Sequence, residues 1–190
     1  MTIRAIAFDA FGTLIGYGGR RINPYLRLVD AAPSEKMARL PFLTRNVPVD
    51  VFADELGRTH LLPVIQRELA EEVAGLRLFD EVGMTLRRLR AVGTQIAVCS
   101  NLAYEYGAVV RRLLPDLDAY LFSYELGAAK PDPAIYAVTC TALGCRPREA
   151  LFIGDSRRCD FEGPRAFGMQ AGWLDRKNGL TLLDVLQRVL

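Results

Sequence analysis

The chain has one histidine (His60), one tryptophan (Trp173), no Cys-x-x-Cys pair and no marked excess of either charge. Each shortage removes a class of protein. The four cysteines (Cys99, Cys140, Cys145, Cys159) lack a metal-binding spacing, and Cys99 falls in an apolar run that reads as a buried strand. Reduced thiols in a cytoplasmic protein are the simplest account. The 24 basic side chains are nearly balanced by 22 acidic ones. Clusters such as Arg87-Arg88-Leu89-Arg90 and Arg111-Arg112 recur at helical spacing, as solvated helix faces do, which argues against a nucleic-acid partner. No apolar stretch approaches the ~20 residues of a membrane span. Met1 to Ile6 enters a strand without a charged region and a long apolar one, so neither membrane insertion nor secretion is expected. There is no internal repeat and no low-complexity tract.

What is present is a globular composition, 51% hydrophobic and 24% charged over 190 residues. A chain of that size buries roughly 70% of its unfolded surface and suits one core domain with one insertion. Ile3 to Phe8, Gln95 to Cys99, Ala119 to Phe122, Ala150 to Ile153 and Gln170 to Leu174 are short and mostly apolar throughout. Strands covered by helices on both faces read that way. Helical stretches near Phe79 to Ala91, Tyr104 to Leu114, Pro133 to Leu143, Asp160 to Phe167 and Thr181 to Leu190 alternate with them, and Gly93, Gly144 and Gly168 suit C-caps. The expected fold is α/β, a Rossmann-like parallel sheet. Between Tyr17 and Leu76 there is no convincing strand but four amphipathic segments, around Pro24 to Ala31, Ser34 to Arg45, Val49 to Gly57 and Leu62 to Ala74, with Ser34 and Asp50 as candidate N-caps. An interval of ~60 residues is too long for a βα loop, so residues 17–76 are expected to be an inserted helical cap on a core of 1–16 and 77–190.

Ligands of open parallel sheets sit beyond the carboxyl ends of the strands, so the residues there carry the functional argument. Asp9, in Asp9-Ala10-Phe11-Gly12-Thr13-Leu14, is a carboxylate at the mouth of a buried strand; it can attack an electrophile that loop amides and Thr13 orient, or merely cap a turn. Ser100-Asn101 can hold an anion or begin a turn. Lys130, in Lys130-Pro131-Asp132-Pro133, can neutralise a phosphate or a nucleophile, or be a surface lysine. Asp155 and Asp160, five residues apart after the fourth core strand, can bind Mg2+ together with Asp9, since that hard cation takes oxygen ligands; Asp155 or Ser156 can instead cap the following helix.

The series FDAFGTL, CSN, KPDP and IGDSRRCDFEGPRAFGM resembles the haloacid dehalogenase-like hydrolases across the whole core. The resemblance implies a sheet order of 5-4-1-2-3 in core-strand numbering and a helical cap closing over the site. It also implies Asp9 as nucleophile, Ser100 and Lys130 as ligands of the transferred group, Asp155 as metal ligand and Asp160 as a direct or water-mediated one.

Phe11 departs from the pattern. Most phosphatases of the family this chain resembles carry a second Asp there, which protonates the leaving oxygen and then activates water, help typically worth 10²–10⁴-fold. Dehalogenases often carry an aromatic instead, and halide needs no proton, but they generally work without metal and lack an acid where this chain has Asp155. Two carboxylates ~4 Å apart repel by about 4 kcal/mol at an effective dielectric near 20. A divalent cation between Asp9 and Asp155 removes that penalty, and the backbone carbonyl of Phe11 can serve as a ligand whatever its side chain. The expectation is therefore a Mg2+-dependent phosphatase acting on a small phosphorylated metabolite, as a monomer or homodimer. A metal-independent L-2-haloacid dehalogenase and a catalytically weak ligand-binding or interaction protein are the alternatives. His60 reads as a solvated or packing residue rather than the missing acid. Arg20, Arg21, Arg39 and Arg45 are candidates to bind a substrate anion, Tyr136 suits either the site or the core, and Trp173 is expected in a core or cap contact.

Overall fold

In a computed structural model that describes residues 2–29 and 35–189, the chain starts with β1 (Ala5–Phe8) and turns directly into β2 (Ile15–Tyr17). A helical insert follows: a 3-10 turn (Pro24–Leu28), α1 (Glu35–Thr44), α2 (Val49–Glu55), a second 3-10 turn (Thr59–Leu61) and α3 (Leu62–Gly75). The chain returns as β3 (Leu76–Leu78), antiparallel to β2. It then alternates through α4 (Val82–Ala91), β4 (Gln95–Ser100), α5 (Tyr104–Leu113), β5 (Ala119–Phe122), α6 (Ser123–Leu126) and α7 (Pro133–Ala142). The last part is β6 (Ala150–Gly154), a π-helical turn (Arg157–Glu162), α8 (Gly163–Phe167), β7 (Gln170–Trp173) and α9 (Leu182–Val189).

The parallel sheet runs β5-β4-β1-β6-β7, the 5-4-1-2-3 order of core strands that the resemblance implies. Alternation along the strands feeds two cores. Ile6, Phe8, Ile96, Val98, Leu151 and Ile153 face one side, with α4, α5, α9 and residues of the insert. Ala5, Ala7, Ala97, Cys99, Ala150 and Phe152 face the other, where small side chains leave room for the fully buried Tyr136 of α7. All four cysteines are free, and among the described residues no helix is long and apolar enough to cross a membrane. Gly93, Gly144 and Gly168 adopt positive φ (77°, 59° and 100°) just past helix ends, as their C-cap placement requires.

Several local expectations change. Tyr17 and Leu76 are strand residues, because the two ends of the insert pair with each other and Gly18 N–H donates to the Gly75 carbonyl at 2.8 Å. The Pro24 to Ala31 segment is a 3-10 turn ending at Leu28, and the Asp160 to Phe167 helix is α-helical only from Gly163. Asp50 does not cap α2: Pro48 occupies that position, Asp50 lies in the first turn, and Val49 N–H donates to Glu105 of α5 at 2.7 Å. An acceptor supplied by another helix replaces the local cap. Ser34, Ala31, Leu190 and the Arg39 side chain lie outside the described residues.

Candidate active site

Asp9 follows β1 and is held by the sheet itself, since its N–H donates to the Ile153 carbonyl of β6 at 2.9 Å. The chain then folds back tightly, Leu14 and Ile15 N–H both donating to the Ala10 carbonyl at 2.8 Å. Asp9 Oδ1 accepts from Ser100 Oγ, at the end of β4, at 2.9 Å and from Lys130 Nζ at 2.8 Å. Lys130, itself buried, also donates to the Cys99 carbonyl at 2.8 Å and to Asp160 Oδ1 at 2.6 Å. Burial alone would lower its pKa; Asp160 and Asp9 more than offset that and hold it well above the ordinary lysine value. Lys130 is therefore an ammonium buried between two carboxylates, with its donors satisfied.

The Asn101 side chain has a place the sequence does not show. Its amide forms a reciprocal pair with the Lys130 backbone, Nδ2 donating to the carbonyl and Oδ1 accepting from N–H, each at 2.8 Å. The side chain fixes the loop that carries the lysine. Thr13 differs from its expected role: its hydroxyl is fully buried with no hydrogen-bond partner among the described residues, while its carbonyl accepts from Arg176 at 2.6 Å.

Asp9, Asp155 and Asp160 bring carboxylate oxygens within 4.8 Å of one another. Two glycines make this possible. A Cβ on Gly12, whose φ is +79°, would stand 2.3 Å from Asp155 Oδ2, and a Cβ on Gly154 would stand 2.4 Å from the Asp160 carboxyl. Asp160 is committed on both oxygens, to Lys130 and to the Ser156 N–H at 2.9 Å. Ser156 itself caps the π turn, accepting from Cys159 N–H at 3.2 Å. Asp155 sits at the exposed rim, its carbonyl held by Trp173 Nε1 at 3.0 Å. Partial burial of its carboxyl and the adjacent Asp9 charge push its pKa up to about 6. Burial likewise raises Asp160 above the ordinary carboxylate range, with Lys130 opposing. Three carboxylates against one ammonium leave two negative charges uncompensated. The Phe11 carbonyl accepts no hydrogen bond among the described residues.

The Phe11 ring lies between Tyr17, stacked at 5.6 Å, and Tyr106, edge-on at 5.6 Å. These rings wall a cavity of about 80 Å³ between the insert and α5, also lined by Arg21, Tyr25, Phe42 and Leu102. Glu72 of α3 closes it: buried, it accepts from Ile22 and Asn23 N–H at 2.5 and 2.7 Å and from the Tyr106 hydroxyl at 2.9 Å. Glu72, Tyr106 and Tyr17 do not follow strands of the parallel sheet: they come from α3 of the insert, from α5 and from the short ribbon formed by β2 and β3. An acid among the apolar positions of an amphipathic helix was the available signal for Glu72. Of the other candidates, Arg45 pairs with Glu55 at 2.6 Å, Arg20 lies apart from this cavity and His60 is exposed. Tyr136 is a core residue that donates to the Cys159 carbonyl at 2.6 Å. Trp173 is more exposed than expected, with 38% of its surface accessible at the rim.

A family model described as haloacid dehalogenase-like hydrolase matches residues 3–168. The chain is 32% identical over 133 residues to a phosphoserine phosphatase of Thermus thermophilus, an alignment covering 66% of this chain and 53% of that protein, so it spans about half that relative's length. It is 28% identical over 195 residues to a phosphatase of Mycobacterium tuberculosis, covering 93% of this chain and 89% of the other. Among solved structures, a Bacteroides thetaiotaomicron enzyme of the family in complex with magnesium and inorganic phosphate superimposes with a TM-score of 0.71. That match covers 91% of this chain and 94% of the other at 20% identity. Dehalogenases are matched as well, both by sequence and by structure.

Proposed function

The chain belongs to the haloacid dehalogenase-like hydrolases, and from that premise we propose that it is a Mg2+-dependent phosphatase of small phosphorylated metabolites with Asp9 as its nucleophile. Residues 17–76 act as the cap over a core of 1–16 and 77–190. The observation that carries the reading is the acid trio with its two uncompensated negative charges, the charge of one divalent cation. Asp9, Asp155 and the free Phe11 carbonyl are the ligands we assign. Asp160, already committed to Lys130 and Ser156, would act through water. Once bound, the cation would neutralise the carboxylates and polarise the phosphoryl group.

Ser100 and Lys130 hold Asp9 Oδ1 and leave Oδ2 without a hydrogen bond among the described residues, so the carboxylate is oriented and one oxygen is available for attack on phosphorus. Asn101 keeps Lys130 in place. Thr13, with its hydroxyl sealed beneath the loop, supports the turn. The four free thiols suit a reducing cytoplasm. The test is hydrolysis of p-nitrophenyl phosphate, which should require Mg2+ and disappear in Asp9→Asn and Asp155→Asn; activity that survives EDTA would sink the reading.

A second reading, dehalogenation of a 2-haloacid, is favoured by one observation: Phe11 presents an aromatic wall where a proton donor would face an oxygen leaving group. It requires halide release from L-2-chloropropionate without metal, and tolerance of Asp155→Ser.

A further inference from the structure

Phe11 cannot assist a departing oxygen, so on the phosphatase reading another group must do so or alkyl phosphates would react very slowly. Three tyrosines line the cavity beside Phe11. Two have hydroxyls already engaged: Tyr106 donates to Glu72 and Tyr25 to Glu105. The hydroxyl of Tyr17 has no hydrogen-bond partner among the described residues, and it is not sealed from solvent. Tyr17 is the last residue of β2 in the β2–β3 ribbon, and its ring stacks on Phe11 at 5.6 Å with planes 23° apart. The Arg21 guanidinium lies 5.4 Å from the centre of the same ring, on the cavity wall.

We infer that Tyr17 is the hydrogen-bond donor to the leaving oxygen, doing from the ribbon what the residue at Phe11 cannot. As Asp9 forms its bond to phosphorus, the ester P–O bond breaks and its electron pair stays on the departing oxygen. The Tyr17 O–H holds that oxygen while it takes a proton from cavity water. The hydroxide so formed attacks the aspartyl phosphate, breaking the Asp9–phosphorus bond and releasing phosphate and free carboxylate. Tyr17 ends the cycle unchanged.

The inference rests on the phosphatase reading and is tested by leaving-group dependence. Tyr17→Phe keeps the stacked ring and removes only the donor. Removing one such donor typically costs about 10²–10³-fold where charge develops, so kcat/KM for ethyl phosphate should fall by at least roughly 10-fold. For p-nitrophenyl phosphate, whose leaving group is stable as an anion, it should change less than about 3-fold. Equal losses on both substrates would mark Tyr17 as a packing residue, and no loss on either would also overturn the assignment. If ethyl phosphate selectively fails instead in Asn23→Ala, which alters another polar side chain lining the cavity, the donor is Asn23 and the assignment to Tyr17 falls. If wild-type enzyme hydrolyses neither ester, the phosphatase reading itself falls.

Discussion

Glycine at position 154 fixes the buried charge geometry more directly than any ligand residue does. Asp160 occupies the space a side chain at 154 would need, and its 2.6 Å bond to Lys130 depends on that vacancy. Gly154→Ala must push the Asp160 carboxyl away and leave a buried ammonium and carboxylate imperfectly paired, a fault of about 3–5 kcal/mol. Urea unfolding should register a loss of that order. Gly83→Ala in α4 has no comparable neighbour, its nearest contact being the flexible end of Arg87 at 3.6 Å. Replacing a helical glycine by alanine there should be neutral or stabilise by up to about 1 kcal/mol. Equal behaviour of the two variants would mean that the Asp160 environment is slack.

At the level of elements, the insert is tied to α5 of the core through Glu72. One carboxylate of α3 receives two N–H groups from the start of the insert and the Tyr106 hydroxyl of α5, so three segments far apart in sequence meet at one side chain. Glu72→Gln preserves the shape but sets an amide NH2 against donors. Leaving a buried donor unsatisfied costs about 1–3 kcal/mol, and the expected result is a loss of stability in that range with a raised KM, since the same residue closes the cavity. Wild-type stability in Glu72→Gln would refute the latch. This is also where the sequence stops being informative. The five sheet strands announce themselves as continuous apolar runs, and strand ends are where polar residues stand out, so Asp9, Ser100, Lys130, Asp155 and Asp160 are legible. The three-residue strands β2 and β3 are too short to show a period, and each is stable only because the other pairs with it. Asp50 looks like a cap because local rules cannot see Glu105 arriving from another helix.

For the molecule as a whole, the site opposes the fold until its charge is neutralised. Burial and the adjacent Asp9 charge push the Asp155 pKa up to about 6, above the ordinary value of about 3.9. The folded state therefore binds that proton more tightly than the unfolded state, and stability from this group falls as pH rises from about 4 through 6. Asp160 shifts in the same direction. Metal-free protein should thus gain stability from these groups when taken from pH 7.5 to 5.5, opposite to the trend for salt-bridged carboxylates. A cation that binds the ionised cluster reverses the balance. At 100 times its dissociation constant a ligand adds about 2.7 kcal/mol, and Mg2+ should raise the melting temperature strongly at pH 7.5 and weakly at pH 5, where protons compete. Asp155→Asn removes one of the opposed charges. In EDTA at pH 7.5 it should melt above the wild type while showing little response to Mg2+, stability gained as function is lost. Thermal unfolding of the two proteins at both pH values, with Mg2+ and with EDTA, checks this directly. A wild type indifferent to Mg2+, together with a less stable Asp155→Asn, would show that the three carboxylates are balanced within the fold and need no cation.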